Sequence, residues 1–204
     1  MQAKEVFLKQ ANKKSLILVL ILGILICGQI FAKDLIQLRV SLNDYVKKSN
    51  EFSAQFIQAS NKSLSDGFLY LDRKRIKIEY IKPSKITIIL TQSKAMYFNH
   101  DLDEVEYFSP KKTIGSIFYQ IFYDNNFFKE TKLLIKTNSI TAIKNVEIDE
   151  EEVVLSIYFE KNPLTLRKIE IKKNNEDIVF SISNINHNPN FDKKFFSMVD
   201  PRNN

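Results

Sequence analysis

The stretch RIKIEYIKPSKITIIL at residues 75–90 decides the fold. Apolar and polar side chains alternate from Arg75 to Tyr80, and after the turn Lys82-Pro83-Ser84 apolar residues again occur at every second position, as Ile86, Ile88 and Leu90. A period of two puts apolar side chains on one face of a strand and polar side chains on the other, which is typical of antiparallel sheets. The stretch therefore predicts two antiparallel strands joined by a turn.

The same alternation predicts that most of the chain is strand. Before the deciding stretch it occurs at residues 52–56 and 68–71, and after it in a hairpin that turns at residues 100–103. From residue 146 onwards four more runs have strand character. In one of them the apolar positions change from even to odd residue numbers between Leu166 and Ile169. This shift by one residue predicts a β-bulge near Arg167.

Two segments have helical spacing instead. Apolar residues from Leu35 to Val46 follow Asp34, a suitable N-cap, and predict an amphipathic helix of about four turns. After Pro110 apolar residues return to helical spacing, interrupted at residues 124–126, and predict two short aromatic helices or helical turns. The residues that carry this second prediction are Ile114, Ile117, Phe118, Ile121, Phe122, Phe127, Phe128, Leu133 and Leu134.

These elements predict a mainly β (α+β) fold with one antiparallel sheet. A sheet of about 10–11 strands cannot stay flat, because its twist accumulates until it curls or closes. The concave face of such a sheet is apolar, and the inserted helices are placed to cover it. We therefore expect a curled, incomplete antiparallel β-barrel with an N-terminal helix and inserted lid helices.

The first 32 residues have the composition of a secretory signal peptide. Four lysines and one acid precede an apolar run from Leu16 to Ile26, and Ala32 is a suitable small residue at a cleavage site. Cleavage there gives a signal peptide of residues 1–32 and a single domain of residues 33–204. Two alternatives stay open: an uncleaved membrane anchor, and a lipoprotein signal acylated at Cys27, although Ile26 precedes that cysteine where a small residue is required.

The charge of the chain argues against a nucleic-acid-binding protein. The 204 residues contain 30 Lys and Arg against 24 Asp and Glu, a net charge of +6. Without residues 1–32 the balance is 26 against 23, or +3, and the bases are interleaved with acids. Phosphate binding needs a one-sided basic face, so we expect no nucleic-acid partner.

Candidate catalytic and metal-binding residues are few. His100 lies beside the acids Asp101 and Asp103, but the spacing matches no metal loop, and a solvated hairpin turn explains it. Ser116 follows Gly115 without the second glycine of a nucleophile elbow. We therefore expect that the protein is not an enzyme and that it binds neither a metal nor a cofactor.

Short motifs between residues 52 and 108 resemble a known family. Phe52-Ser-Ala-Gln-Phe-Ile-Gln58 resembles the Phe-x-Ala-x-Phe-x-Gln strand of the LolA family of periplasmic lipoprotein carriers. Residues 67–73 and 76–83 are similar to the two strands that follow in that family, and residues 93–105 to its next hairpin. The aromatic segment 110–134 lies where the family inserts lid helices, and residues 195–201 resemble its closing segment.

The resemblance implies a function. It implies a periplasmic carrier that binds the acyl chains of lipoproteins and moves them from the inner to the outer membrane. Its implied partners are acylated lipoproteins, an inner-membrane exporter of the LolCDE type and an outer-membrane acceptor of the LolB type, with the carrier itself a monomer. One alternative is a membrane-anchored lipid-binding or envelope-stress-sensing domain of similar fold, which would retain residues 1–32. The other is a lipid-processing enzyme, which would be inactivated by changing His100 or His187 to Ala.

The resemblance and the strand parity together name candidate site residues. The family's arginine that holds a lid helix in the empty protein corresponds to Arg73, or to Arg75 if the gap is placed differently. The expected lining of the acyl-chain cavity is Phe56, Leu69, Leu71, Ile76, Ile78, Tyr80, Ile88, Leu90, Phe98, Phe118 and Phe122.

Overall fold

A computed structural model describes residues 34–49, 51–61, 63–174 and 176–203. The predicted signal peptide, including Cys27, lies outside the described residues. The chain divides into two compact units, Met1–Leu42 and Asn43–Asn204. The described part of the first unit, residues 34–42, is helical, and Ser41 Oγ donates to the Gln37 carbonyl oxygen at 3.0 Å.

The second unit is built on strands. Helix α1 spans residues 34–48, so it begins in the first unit and ends in the second, and helix α2 spans Ile114–Tyr123. Short 3-10 turns occupy Pro110–Lys112, Phe127–Glu130 and Pro201–Asn203. The strands are β1 (Glu51–Ser60), β2 (Leu64–Asp72), β3 (Arg75–Lys82), β4 (Ile86–Leu90), β5 (Ala95–Asn99), β6 (Glu104–Phe108), β7 (Lys132–Ile135), β8 (Ser139–Ile148), β9 (Glu151–Glu160), β10 (Thr165–Lys173) and β11 (Glu176–Asn186).

In the described residues all eleven strands form one antiparallel sheet that does not close. Their order is β6-β5-β4-β3-β2-β1-β11-β10-β9-β8-β7, so β6 and β7 are the two edges. The segment that connects these edges, residues 110–130, contains α2 and two of the 3-10 turns. We call it the lid segment. The predicted curled, incomplete barrel is confirmed, with an N-terminal helix and one further α-helix.

The alternation seen in the sequence places the core on the sheet face that α2 covers. In β1 the buried positions are Phe52, Ala54 and Phe56, each followed by a more exposed residue. The bulge predicted near Arg167 is confirmed, since the β9–β10 register shifts between Leu166 and Lys168. An extra residue there restores the apolar parity after the slip.

Helix α2 packs its aromatic side against this face. Its buried residues are Ile117, Phe118, Ile121 and Phe122, which one side of a helix brings together. The Phe122 ring lies 5.4 Å from that of Phe52 in β1, and the Phe118 ring 4.9 Å from that of Phe180 in β11. The helix therefore spans the middle of the sheet between its two edges.

The second predicted helical element is a single turn and is shorter than expected. Phe127 and Phe128 lie in a 3-10 turn. The helical placement of Leu133 and Leu134 is wrong, because both lie in strand β7. Strand β7 pairs with β8 through Leu133 opposite Ala142 and Ile135 opposite Ile140. Pairing with a neighbouring strand therefore overrides the local helical spacing.

The opposite face of β2 to β5 is covered by residues 191–198, which we call the C-terminal segment. Ile89, Met96, Phe98 and Phe196 form a buried apolar cluster there, with partly buried hydrophobic residues around it. The Tyr107 hydroxyl of edge strand β6 donates to the Met198 carbonyl oxygen at 3.0 Å. Both faces of this part of the sheet are therefore covered, one by α2 and one by the C-terminal segment.

Candidate binding cavity

An apolar cavity of about 280 Å³ lies between the start of α2 and the sheet. Strands β1, β3, β4, β6 and β11 supply its walls, and the first residues of α2 supply its cover. Its lining consists of Gln58, Ile78, Tyr80, Ile88, Leu90, Phe108, Thr113, Ile114, Gly115, Phe118 and Phe180.

The cavity has a deep end and a mouth. Along β3 the exposed fraction rises from 0% at Ile76 through 6% at Ile78 to a half-buried Tyr80. Along β4 Leu90 is buried, whereas Ile88 is half-buried. A small void of about 10 Å³ lies at the deep side, lined by Phe56, Leu69, Ile78, Phe118, Phe180 and Ile182. Because the two share Ile78, Phe118 and Phe180, the void continues the cavity inward.

Two polar side chains interrupt the apolar lining at the mouth. The Tyr80 hydroxyl donates to Gln58 Oε1 at 2.7 Å, from β3 to β1 across β2. Burial raises the pKa of Tyr80 to about 12, so its hydroxyl stays protonated at neutral pH. The third polar lining residue, Thr113, donates its hydroxyl hydrogen to the Pro110 carbonyl oxygen at 2.8 Å.

A glycine allows the strands to approach closely beside this pair. Gly67 lies between Phe56 and Tyr80 in the register of β1, β2 and β3. A Cβ at this position would overlap the carbonyl oxygen of Glu79 and lie 3.0 Å from Phe56 Cζ. The absence of a side chain lets the Phe56 and Tyr80 rings meet edge to face, 5.3 Å apart.

The structure brings most of the predicted lining residues onto the covered face. Five of them line the cavity itself: Ile78, Tyr80, Ile88, Leu90 and Phe118. Phe56 and Leu69 line the deeper void, while Leu71, Ile76 and Phe122 are buried on the same side of the sheet. Ile76 is fully buried, so a charge at this position would test folding and not binding.

The placement predicted for Phe98 is wrong. Phe98 pairs with Thr87, and it packs with Ile89 and Phe196 on the face opposite the cavity. Its neighbour Tyr97 pairs with Ile88 and shares the face of the cavity instead. The C-terminal segment covers the opposite face and gives Phe98 an apolar environment there.

Neither candidate arginine holds α2 through its side chain. Arg73 lies in the β2–β3 turn with a positive φ of 47° and a side chain 81% exposed, and its ion-pair partners are Glu51 and Asp72. The Arg75 side chain pairs with Asp72 and lies over the Phe196 ring on the opposite face. The predicted role of Arg73 therefore needs correction, because the turn directs its side chain into solvent.

A hydrogen bond joins α2 to this region through the main chain of Arg75, not through its side chain. Tyr123, the last residue of α2, donates its hydroxyl hydrogen to the Arg75 carbonyl oxygen at 3.1 Å. Burial raises the pKa of Tyr123 well above its ordinary value, so the hydroxyl remains a donor at neutral pH.

Several lining residues were missed from the sequence. Phe180 lies in a run with strand alternation, and Gln58 is the last residue of the motif in β1. The local sequence could therefore have indicated both as lining residues. Phe108 and Ile114 flank the start of the lid segment. Their place in the cavity follows from the path of that segment across the sheet, which no local pattern indicates.

The two histidines lie away from the cavity lining. His100 is bonded to Thr87 Oγ1 at 2.9 Å, and burial together with the nearby Lys85 charge lowers its pKa. His187 packs against the rings of Tyr45 and Phe52. Among the described residues no group of three or more His, Cys, Asp or Glu side chains is placed to hold a metal ion.

The fold and the cavity define a class of protein: an incomplete antiparallel barrel whose apolar concave face is covered by an inserted helix. The chain belongs to the family of the outer membrane lipoprotein carrier protein LolA, whose family model matches residues 47–199. A comparison of the sequence with curated proteins gave no match. In the part of the chain that the structure describes, no helix is long and apolar enough to cross a membrane.

Three solved structures are similar to this chain at low sequence identity. An uncharacterized conserved protein from Thermus thermophilus is 9% identical, with a TM-score of 0.41 over 71% of this chain and 86% of that chain. MucB is 9% identical, with a TM-score of 0.45 over 78% and 61% of the two chains. LprF from Mycobacterium bovis is 10% identical, with a TM-score of 0.40 over 74% and 94%. Likenesses at this level carry no conclusion about function.

Proposed function

We propose that this protein is a periplasmic carrier that holds the acyl chains of lipoproteins in the cavity under α2. The observation that supports the proposal is the apolar cavity of about 280 Å³, bounded by side chains from five strands and α2. Membership of the family of the outer membrane lipoprotein carrier protein LolA supports the choice of cargo. The protein contributes a binding surface in this proposal and no catalytic group.

A carrier of this kind has a clear energetic task. Each buried methylene contributes about 0.8 kcal/mol, so an acyl chain of ~16 carbons costs on the order of 10 kcal/mol or more to hold in water. An apolar cavity replaces the bilayer for such a chain. The carrier must also release its cargo, so part of the favourable burial has to be offset.

The lid segment supplies that offset. About 280 Å³ is just below the range of roughly 300–1,000 Å³ for pockets that hold drug-sized ligands. Cargo with more than one acyl chain therefore requires α2 to move away from the sheet. Such a movement breaks the contact of Phe122 with Phe52 and the hydrogen bond from Tyr123 to the Arg75 carbonyl. Acyl chains then replace the lost apolar contacts, and the net affinity stays low enough for release.

Location and partners follow from the same proposal. Residues 1–32 would direct export and be removed after Ala32, and the mature domain of residues 33–204 would act in the periplasm. It would receive lipoproteins from an exporter of the LolCDE type and deliver them to an acceptor of the LolB type. Sequencing the amino terminus of the protein recovered from the periplasm tests the cleavage. A mature chain that begins at Lys33 supports the carrier, whereas an intact Met1 end supports the anchored lipid-binding or stress-sensing alternative.

Cavity binding can be tested by displacement of a fluorescent fatty-acid analogue. Ile88 is half-buried in the lining, so Ile88→Glu places a carboxylate beside the acyl chain without filling a closed core. We expect the affinity to fall at least tenfold, which corresponds to about 1.4 kcal/mol. The matched control is Ile135→Glu on β7, where the side chain is 50% exposed and lies outside the cavity lining. It should bind within about twofold of wild type, and equal affinity of the two variants would refute the cavity assignment.

A further inference from the structure

A pair of hydrogen-bonding side chains lies at the mouth of an otherwise apolar cavity. Gln58 comes from β1 and Tyr80 from β3, and they meet through a 2.7 Å hydrogen bond. The only other polar lining side chain, Thr113, uses its hydroxyl hydrogen on the Pro110 carbonyl. The Gln58–Tyr80 pair therefore places polar groups at the mouth of a cavity whose other lining is mostly apolar.

The pair always keeps one donor that is free for a ligand. With the tyrosine hydroxyl donating to Gln58 Oε1, the two N–H groups of the Gln58 amide have no partner among the described residues. If the amide is turned over, its nitrogen donates to the Tyr80 oxygen and the tyrosine O–H becomes free. In either arrangement an acceptor that enters the cavity meets a hydrogen-bond donor at this point.

The position of the pair fixes the direction in which a ligand lies. On β1 burial decreases from Phe56, 4% exposed, to a half-buried Gln58, and on β3 it decreases from Ile78 to Tyr80. The deep end is lined entirely by apolar side chains, including Phe118 and Phe180. An acyl chain that enters with its methyl end first therefore brings its carbonyl oxygen to the mouth.

We propose that the Gln58–Tyr80 pair donates a hydrogen bond to the carbonyl oxygen of the bound acyl group and thereby sets its orientation. This inference rests on the proposed function, because it assigns a role within the same cavity. The ligand feature that it names is the carbonyl, which an ester, an amide or a free carboxylic acid supplies. An unmatched donor in an apolar site discriminates against a ligand that lacks the acceptor.

The test compares two ligands of equal chain length on the protein recovered from the periplasm after expression of the full chain. Methyl palmitate has the carbonyl, and methyl hexadecyl ether lacks it. Both compete against a fluorescent fatty-acid analogue, with the affinity of the analogue measured separately for each variant. A net hydrogen bond of about 0.5–1.5 kcal/mol predicts that wild type prefers the ester by about two- to twelvefold. Palmitic acid, as a third ligand, shows whether the free acid is accepted as well as the ester.

The variants give a pattern that a purely structural role would not produce. Tyr80→Phe leaves the amide N–H groups as donors, and Gln58→Leu leaves the tyrosine O–H. Each single variant should therefore keep the preference for the ester. The double variant Gln58→Leu/Tyr80→Phe should lose the preference while it retains affinity for the ether, with thermal unfolding measured to confirm that it folds.

The outcomes separate the two proposals. If neither ligand displaces the analogue from wild type, the proposed function fails. If both ligands bind wild type equally well, the cavity assignment stands and the carbonyl contact is overturned. A double variant that still prefers the ester also overturns it, because no donor of the pair then remains.

Discussion

The hydrogen bond between Tyr123 and β3 offers a direct test of how the lid segment works. Tyr123→Phe removes the hydroxyl that donates to the Arg75 carbonyl oxygen at 3.1 Å and leaves the rest of the ring in place. A neutral hydrogen bond of this kind contributes a net free energy of about 0.5–1.5 kcal/mol. The free energy of unfolding should therefore fall by about that amount in a urea titration.

The same substitution should strengthen ligand binding. Because cargo with more than one acyl chain requires α2 to leave the sheet, the closed state competes with a ligand that has two acyl chains, and weakening the closed state raises the apparent affinity for that ligand. The hydrogen-bond free energy corresponds to an increase of about two- to twelvefold in a displacement titration with a two-chain ligand. Stability and affinity should thus change in opposite directions.

Two control variants belong with this experiment. Tyr119 lies one turn earlier in α2, with its ring 5.0 Å from that of Tyr123, and its hydroxyl has no hydrogen-bond partner in the described residues. Tyr119→Phe should change neither quantity appreciably. Arg73→Ala should also leave affinity unchanged, because its side chain is 81% exposed and pairs only with acids of β1 and β2. A less stable Tyr123→Phe variant with wild-type affinity would refute the opening of α2, and tighter binding by Arg73→Ala would restore the role implied by the resemblance.

Further predictions concern two glycines and the carboxylate of Glu170. Gly67→Ala should lower the free energy of unfolding by about 1–3 kcal/mol, since the new methyl group overlaps the Glu79 carbonyl oxygen in the backbone. Gly115→Ala is its matched control: the new Cβ would lie 3.1 Å from a Leu90 methyl group and 3.2 Å from Thr113 Oγ1, both of them side-chain atoms, and the gain in helix propensity of up to about 1 kcal/mol offsets these contacts. The pKa of Glu170 lies below its ordinary value although partial burial alone would raise it, because hydrogen bonds from two lysines and Tyr158 favour the carboxylate. Its contribution to stability should be present above an unfolded pKa of about 4.3 and disappear as the pH falls through the lower folded value. Glu170→Gln should therefore be less stable than wild type at pH 7 by urea titration, and a difference that does not become smaller as the pH falls below the unfolded pKa would contradict this.

The sheet could be predicted from the sequence because its two faces have different environments along most strands. Where Ile76, Ile78 and Tyr80 alternate with charged residues, only one register puts the apolar side chains in the core. The bulge at Arg167 was visible for the same reason, as a break in that alternation. Alternation fails in β5, where Met96, Tyr97 and Phe98 are all apolar because both faces of the sheet are covered. The sequence alone offered no basis for choosing the side on which Phe98 lies.

Other features of the site depend on contacts between distant residues. Gln58 and Tyr80 are 22 residues apart and meet only because the pairings of β1, β2 and β3 bring them together. The strand at residues 132–135 forms because β8 offers it a partner, and local spacing does not reveal that partner. The orientation of Arg73 depends on the two-residue turn that it forms with Lys74, both with positive φ. A resemblance of short motifs cannot fix the geometry of that turn.

The most direct test of the carrier is native mass spectrometry of the protein recovered from the periplasm. The proposal predicts a species whose mass exceeds that of the chain by an acylated polypeptide. The same species should be lost in Ile88→Glu and retained in Ile135→Glu. Recovery of the wild-type chain without any acylated polypeptide, or an equal amount of the complex in Ile88→Glu, would contradict the proposal that this cavity carries lipoproteins.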